Sequence, residues 1–386
     1  MDPLLQWRAE FPILGHTTYM ISHSLGAMPK RAAGRMAEYA ETWASRGIRA
    51  WEEGWWEMPV TVGNLVGAII GAGEGEVVMQ QNVSICQQIV LSCFDWSGKR
   101  NKLVTEGLNF PSNDYNYHGL ERQGARVVQV ASPDGLTLPV ERVLEAIDDQ
   151  TQLVSVSHVA FRSSYLQETR AIVERAHAMG AMVVADLYQA AGTVPVNVRA
   201  WNVDFATGGS VKWLCGGPGA GYLFVRRDLW ETLRPAATGW MAHEHPFDFE
   251  GGPIRFAHDA FRFLNGTPSI PALYAARSGY EIVNAIGVEA IRAKSLRQTS
   301  RLMELADEAG IRVNTPRDPA RRGGVVTLDV PDGKQVTQEL ARRDVTVDYR
   351  PGAGIRVAPH FYTSDEEIEH TVAEIRAIAA KQAVAG

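Results

Sequence analysis

The chain has 386 residues, of which 45% are hydrophobic and 21% are charged, and its net charge is −6. At the usual ~100–200 residues per domain, this length predicts about two or three folding units. Acidic and basic residues are interspersed without a basic block, which argues against a nucleic-acid partner. Three cysteines without a Cys-x-x-Cys pair argue against a disulfide framework, and no apolar run approaches the ~20 residues of a membrane span. The start lacks the layout of a signal peptide, so we expect a cytoplasmic protein without membrane association.

The first fifty residues predict a strand at YMIS, a turn at SLGAMP and a helix, and we expect this segment (1–50) to pack on the rest of the chain. Residues 51–267 are predicted to form a large domain, because short apolar runs alternate there with amphipathic stretches. The predicted strands are Glu76–Gln80, Lys102–Glu106, Ala125–Val130, Thr151–Val156, Ala181–Ala185, Phe205–Gly208 and Gly221–Val225. The predicted helices between them are Val83–Phe94, Ser112–Gln123, Val140–Ile147 and Glu168–Met179. Such alternation predicts an α/β fold with a mostly parallel seven-stranded sheet that binds its ligand at the carboxyl ends of the strands.

A smaller C-terminal α/β domain is predicted over residues 268–386. It begins with two helices, Pro268–Ile286 and Gly287–Ala309. After them, apolar runs at VVTLDV, at Val345–Tyr349 and at GIRVAP predict strands. A helix near Gln335–Arg342 and a final one from Asp365 onward complete the pattern.

The chemistry is concentrated in two neighbouring strands of the predicted sheet. The run AMVVA ends in Asp186, and the run VDFAT leads through Gly208, Gly209, Ser210 and Val211 to Lys212. If the two strands are parallel, Asp186 and Lys212 leave the same edge of the sheet. A lysine there can form an imine with an aldehyde cofactor, and an aspartate against a pyridine nitrogen keeps that nitrogen protonated. The pair therefore predicts pyridoxal 5'-phosphate (PLP), and we expect the glycines before Lys212 to let the backbone approach the ligand.

At this point the chain resembles the class V aminotransferase family of fold-type-I PLP enzymes, and within it the kynureninases. The resemblance is carried by the Asp-Leu-x-x-Ala-x-Gly-x-x-Pro run and by the Lys-x-Leu-x-Gly-Gly-Pro-Gly run. It is extended by the segments NFPSNDY, GWMAHEHPFDFE, RFLNGTPSIPALYAA and SLGAMP. The resemblance covers most of the chain, and it implies the aspartate aminotransferase-like fold and a homodimer with shared active sites.

The resemblance also implies a role for each matched residue. Lys212 would carry the cofactor as a Schiff base and Asp186 would pair with its ring nitrogen. Phe110 would stack on the ring, and Thr267 would reach the phosphate from the other subunit. Further cofactor contacts are expected from Val83, Ser84, Gln189, Ser210 and Trp240. Substrate contacts are expected from Arg356, which would hold the α-carboxylate bidentately, and from Ser24 and Asn113.

Four positions near the expected cofactor and substrate depart from the kynureninase pattern. The family has a tyrosine before the lysine, which touches the phosphate and is implicated in proton transfer, and this chain has Val211. Gln189 replaces a histidine, Asn113 replaces an aspartate, and His23 replaces an asparagine. These changes concern the reaction more than the binding of PLP.

The resemblance favours a PLP enzyme that acts on an amino acid by kynureninase-like hydrolytic Cβ–Cγ cleavage. A class V aminotransferase, lyase or epimerase is the alternative, and a PLP-fold protein without catalytic activity is a third interpretation. A cysteine desulfurase is disfavoured because no cysteine follows Cys215. Arg162 is a candidate for binding a second acidic group of the substrate. No metal is expected, because His243 and His245 have no further ligand at metal-binding spacing.

Overall fold

A computed structural model describes residues 2–385. Its α-helices are α1 Arg31–Arg46, α2 Met58–Ile70, α3 Val83–Leu91, α4 Pro111–Gly119, α5 Val140–Ala146, α6 Thr169–Ala178, α7 Ile270–Ile286, α8 Val288–Glu308, α9 Gly333–Arg342 and α10 Asp365–Ala385. Its strands are β1 Thr18–Tyr19, β2 Val77–Gln80, β3 Lys102–Glu106, β4 Arg126–Val130, β5 Thr151–Ser157, β6 Met182–Asp186, β7 Phe205–Gly209, β8 Gly221–Val225, β9 Arg312–Val313, β10 Val326–Asp329, β11 Val345–Thr346, β12 Asp348–Arg350 and β13 Gly354–Val357.

The central sheet has seven strands in the order β2-β8-β7-β6-β5-β3-β4. The neighbours from β7 through β6, β5 and β3 to β4 pair in parallel, and β8 runs antiparallel between β7 and β2. This confirms the predicted α/β fold with a mostly parallel sheet. The middle strands are buried on both faces, as parallel strands between layers of helices must be.

Alternate side chains along the strands of the sheet pack in two separate apolar cores, one on each face. On β6, Val183 and Ala185 pack in the core that also contains α2 and α7, whereas Val184 packs in the core that contains α3. This alternation follows from the two-residue period of a strand. The sheet is therefore held from both sides, and its carboxyl edge presents residues at fixed positions.

A second sheet has the order β12-β13-β10-β9 and pairs antiparallel throughout. It packs with α8, α9 and α10 in a core of its own. The N-terminal segment joins this part of the chain, because β1 pairs in parallel with β11 and the Ala358 amide donates to the Met20 carbonyl at 2.8 Å. Helix α1 packs on α7 instead. The division into residues 1–50, 51–267 and 268–386 stays a prediction.

Three histidines are buried inside the fold, and burial lowers the pKa of each. The pKa falls to about 4 for His23 and His158 and to about 3 for His360. At neutral pH all three are uncharged in the folded chain.

Among the described residues, no helix has both the length and the apolar character that a membrane crossing requires.

Candidate active site

A cavity of about 360 Å³ opens at the carboxyl edge of the central sheet, a volume typical of small-molecule sites. Strands β5 and β6 end there side by side, with Ser157 opposite Asp186, and Lys212 follows β7. Nine of the twelve predicted site residues line this cavity: Ser24, Val83, Ser84, Phe110, Asn113, Asp186, Gln189, Lys212 and Arg356. The structure therefore brings together residues from the N-terminal segment, the central sheet and the C-terminal sheet.

Lys212 presents its amine to the cavity without a hydrogen bond or an ion pair to any described residue. The Nζ atom lies 4.2 Å from the centroid of the Tyr188 ring and 5.7 Å from that of Phe110. Burial lowers the pKa of Lys212 to about 8, although the nearby Asp186 carboxylate acts in the opposite direction. A substantial fraction of the amine is thus neutral near physiological pH, which both imine formation and proton abstraction require.

Asp186 is a buried carboxylate with two defined donors. Its Oδ2 atom accepts from Asn113 Nδ2 at 2.7 Å, and its Oδ1 atom accepts from the backbone N–H of Tyr188 at 2.8 Å. Burial raises its pKa above the usual value, while the two hydrogen bonds and the charge of Lys212 oppose that rise. A carboxylate oxygen has two lone pairs, so each oxygen keeps capacity for one more donor from the cavity.

The first turn of α3 forms the opposite wall. Asn82 is its N-cap and accepts from the Ile85 amide at 3.1 Å. The backbone amides of Val83 and Ser84 belong to the first turn, which has no carbonyl partners within the helix. Such amides, together with the helix dipole, favour an anionic group at this end of the cavity.

Arg356 enters the cavity from β13 with one edge of its guanidinium already bound. Its Nε and Nη2 atoms donate to the two carboxylate oxygens of Asp348 at 2.7 and 2.5 Å, and Nη1 donates to the Phe161 carbonyl at 2.6 Å. A guanidinium has five N–H groups, so two remain for a ligand. Asp348 also contacts His23 Nε2 at 3.1 Å and Arg350 at 3.1 Å. Burial disfavours its charge, but the His23 and Arg356 contacts hold the pKa of Asp348 well below the usual range.

The loop that carries Lys212 is clamped between two glycines. The Gly26 amide donates to the Val211 carbonyl at 2.7 Å, and a Cβ atom on Gly26 would lie 2.1 Å from the Lys212 carbonyl oxygen. From α7, a Cβ atom on Gly279 would lie 2.0 Å from the Leu214 carbonyl oxygen. Both contacts are too close for any residue with a side chain. The position of Lys212 therefore depends on backbone contacts from both sides.

A comparison of sequences identifies the family. The aminotransferase class-V family model matches residues 19–370 of this chain. The chain belongs to the class V aminotransferase family. A kynureninase of Pseudomonas fluorescens is 32% identical over 364 residues, which cover 90% of this chain and 86% of that protein. The uncharacterized aminotransferase YcbU of Bacillus subtilis is 31% identical over 96% of this chain and 97% of that protein.

Solved structures of this fold include a cysteine desulfurase from Thermococcus onnurineus NA1. It superposes with a TM-score of 0.88 at 23% identity and covers 99% of each chain. The cystine C-S lyase C-DES superposes with a TM-score of 0.85 at 19% identity over 95% of this chain and 99% of that one. These likenesses confirm the PLP fold type I architecture, and at such identities they concern the fold alone.

Class V aminotransferases use PLP, and the cavity of this member fits the cofactor. The Lys212 amine, which has no hydrogen-bonding partner among the described residues, would react with an aldehyde. The buried carboxylate has acceptor capacity that a protonated ring nitrogen would use, and the first-turn amides of α3 would bind a phosphate. Lys212, Asp186, Val83 and Ser84 would hold the group, and the assignment of these individual residues stays a prediction.

Three predicted cofactor residues lie outside the cavity of the single chain. Ser210 is buried, and its hydroxyl contacts the Ala220 carbonyl and the Tyr280 hydroxyl. Thr267 and Trp240 are both exposed, and Trp240 belongs to an aromatic cluster with Trp56 and other rings. For Thr267 this position agrees with a contribution across a dimer interface, which stays a prediction.

Several polar residues that the sequence did not predict as contacts also line the cavity, among them Ser157 and Arg350. Ser157 ends β5 next to Asp186, and Arg350 stands two residues from Asp348 on β12. The serine was detectable, because the strand VSVS ends at the same edge as AMVVAD. Arg162, the predicted contact for a second acidic group, is not among the lining residues and stacks on Phe161 at 5.4 Å.

The absence of a side chain at Gly208 and at Gly209 leaves space for two tyrosine rings of the protein. A Cβ atom on Gly208 would lie 2.2 Å from the Tyr222 hydroxyl, and one on Gly209 would lie 2.5 Å from the Tyr188 hydroxyl. The expectation that these glycines let the backbone approach a ligand stays a prediction. They accommodate two phenol rings that pack across the end of β7.

Proposed function

We propose that this protein is a PLP-dependent hydrolase that cleaves the Cβ–Cγ bond of a γ-keto amino acid of the kynurenine type. The observation that carries the proposal is one cavity in which a buried aspartate, an arginine with free N–H groups and a lysine amine without a partner among the described residues converge. Relatives named kynureninase, at about 30% identity over nearly the whole chain, support the choice of reaction.

In this mechanism, Arg356 binds the α-carboxylate of the substrate through its two remaining N–H groups. Asp348 holds the other edge of the guanidinium and so fixes its orientation. A charge-assisted bidentate contact of this kind sets the direction in which the Cα–H bond points. Lys212 would hold PLP before the substrate binds, and its amine, once free, would be the base for the α-proton.

Bound PLP supplies an electron sink for the bonding pair that the α-proton leaves behind. Asp186 favours that role, because a carboxylate next to the ring nitrogen stabilises a proton there. Lys212 carries the α-proton on its Nζ atom and returns it at a later step. The net reaction consumes one water molecule, breaks the Cβ–Cγ bond, and releases alanine and a carboxylic acid.

The cysteines of the chain argue against desulfurase chemistry, which uses a thiolate nucleophile. Cys86 and Cys215 are buried, Cys93 is partly buried, and none of the three lines the cavity. Burial raises the pKa of Cys93 and Cys215 to about 12. Thiols of this kind are protonated at neutral pH and do not act as nucleophiles.

The test is incubation of the PLP-loaded protein with kynurenine and with 3-hydroxykynurenine. We expect equimolar alanine and the corresponding anthranilate, measured by chromatography with fluorescence detection. Lys212→Ala is the control without the base and should give neither product. If neither substrate gives an anthranilate, the hydrolase proposal is refuted.

An aminotransferase is the second candidate, and two observations favour it. Asn113 takes the place of an acid next to Asp186, and Val211 takes the place of a tyrosine next to Lys212. The relative YcbU, which is named an aminotransferase, aligns over nearly its whole length. The same incubations, repeated with a panel of amino acids, would then yield a keto acid with loss of the absorbance of lysine-bound cofactor.

A further inference from the structure

Tyr188 is the nearer of the two aromatic rings beside the Lys212 amine, and the sequence motifs did not single it out. It follows Asp186 by two residues and donates its backbone N–H to that carboxylate at 2.8 Å. Its ring centroid lies 4.2 Å from Lys212 Nζ. Its hydroxyl reaches the backbone of Gly209, where the missing side chain leaves room for it. The ring is thus fixed at both ends, beside the lysine.

The Tyr188 ring matters because the Lys212 amine has few other interactions among the described residues. Within residues 2–385, Lys212 Nζ has no hydrogen bond or ion pair, and its second aromatic neighbour, Phe110, is farther away at 5.7 Å. The negative face of an aromatic ring attracts a cation but has little effect on a neutral amine. The ring of Tyr188 therefore stabilises the ammonium form of Lys212 and opposes the effect of burial.

We propose that Tyr188 is a positioning residue for Lys212, whose ring face holds the amine in the cavity and stabilises the ammonium formed when Lys212 takes the substrate α-proton. In that step the proton passes from Cα to Nζ, and the bonding pair stays with the carbon. The inference rests on the proposed function only for this proton transfer, which the aminotransferase reaction would share.

The ring and the hydroxyl of Tyr188 have separable roles. Burial raises the pKa of the hydroxyl to about 12, with Asp186 acting in the same direction, so the phenol stays protonated at physiological pH. A protonated phenol does not accept the α-proton. Tyr188 is the one tyrosine among the described residues that line the cavity, and position 211, next to Lys212, is a valine. The effect on Lys212 thus comes from the ring face, which phenylalanine also provides.

The test compares Tyr188→Phe and Tyr188→Leu in the PLP-loaded protein. The first readout is the pH midpoint of the absorbance of lysine-bound cofactor, at roughly 410–430 nm, because the absorbing form carries a cationic nitrogen at the Lys212 position. Loss of the ring face should lower the midpoint by about 0.5–1.5 pH units in Tyr188→Leu and leave it almost unchanged in Tyr188→Phe.

The second readout is exchange of the α-proton of kynurenine in D₂O, followed by ¹H NMR. We expect a decrease of about 3–30-fold in Tyr188→Leu and less than about 3-fold in Tyr188→Phe. Tyr115, which is exposed on α4, provides the matched control, and Tyr115→Leu should resemble the wild type in both readouts. Gly209→Ala is an independent perturbation that pushes on the Tyr188 hydroxyl, and it should move the midpoint in the same direction as Tyr188→Leu.

An unchanged midpoint in both Tyr188→Leu and Gly209→Ala would overturn the proposal. So would equal effects of the phenylalanine and leucine variants, since the hydroxyl would then carry the role. Neither readout requires cleavage of the Cβ–Cγ bond. Exchange without anthranilate production would refute the hydrolase while leaving the role of Tyr188 supported by its own data.

Discussion

Asn113→Asp restores the acid that kynureninases have at this position, and its effect can be worked out from one hydrogen bond. In this chain the Asn113 amide donates to Asp186 Oδ2 at 2.7 Å, and both residues are buried. An aspartate at position 113 would place two carboxyl groups at this distance. Two like charges so close cannot both ionise, so the cofactor-free protein must either retain one proton or tolerate their repulsion.

The free-energy cost of retaining that proton sets the loss of stability that we expect for Asn113→Asp. The unfolded chain releases it with a pKa of about 3.9, so holding it at pH 7 costs at most about 4 kcal/mol, and at pH 5 about 1.5 kcal/mol. The folded-state pKa of the pair is raised, so its stability is present at low pH and is lost as the pH rises. Relative to the wild type, Asn113→Asp should therefore lose about 2–3 kcal/mol more at pH 7 than at pH 5.

Urea unfolding of the cofactor-free protein at the two pH values, followed by circular dichroism, measures this difference. Asn113→Ala is the matched control, because it removes the donor without adding a charge. It should lose about 1–3 kcal/mol with a much smaller dependence on pH. If Asn113→Asp and Asn113→Ala show the same loss at both pH values, the carboxyl groups do not interact as the structure implies.

Three further predictions concern the rest of the fold. Lowering the pH from 7 to 5 should reduce the unfolding free energy by about 2 kcal/mol for each buried histidine whose pKa is near 4. The reason is that these histidines bind protons in the unfolded chain but not in the folded chain at pH 5. An unfolding free energy that stays constant between these pH values in urea titrations would contradict this. Gly279→Ala should destabilise the chain by at least about 2 kcal/mol and weaken PLP retention on dialysis, since its Cβ would meet the Leu214 carbonyl, whereas Gly34→Ala, with open space around it, should do neither. Asp348→Asn should cost about 3 kcal/mol, because the buried Arg356 loses its charged partner; a urea midpoint like that of the wild type would show that the pair contributes nothing.

The central sheet could be predicted from the sequence almost to the residue. Strands β3 and β8 begin and end at the predicted positions, four others differ by one residue at one end, and β6 is shifted by one residue at both ends. Fully buried parallel strands are continuous apolar runs with polar or glycine residues on either side, and this pattern is local. The same pattern located Asp186 and Lys212 at one edge.

Helix α2 was not predicted, for a reason that lies in its packing. Its sequence contains Gly63 and Gly67 with several β-branched residues, a composition of low helix propensity. The glycines instead allow close contact, since a Cβ on Gly63 would lie 2.1 Å from the Val77 carbonyl oxygen. Tertiary contact with β2 and α7 stabilises this helix, and that information is not in the local sequence.

The contacts that refine the site depend on the register between strands. Asp348 meets Arg356 because β12 and β13 pair with these two residues opposite each other. Tyr188 reaches Gly209 because Asp186 pairs with Thr207, and each of the two residues follows its paired position by two. Neither spacing follows from a motif along the chain, so the sequence could identify the cofactor residues but not the groups that orient them.

The pairing of β1 with β11 bears on how the protein is made. Val345 leaves the ribosome about 330 residues after Thr18, which at ~5–20 residues per second is roughly 16–65 s. During that interval the N-terminal strand has no partner, and the Gly26 contact on the Lys212 loop is not held in place. The nascent chain therefore carries its reactive lysine through about the next 130 residues of synthesis before the β1–β11 pairing can form. We therefore expect the complete surroundings of Lys212 to form only late in the synthesis of the chain.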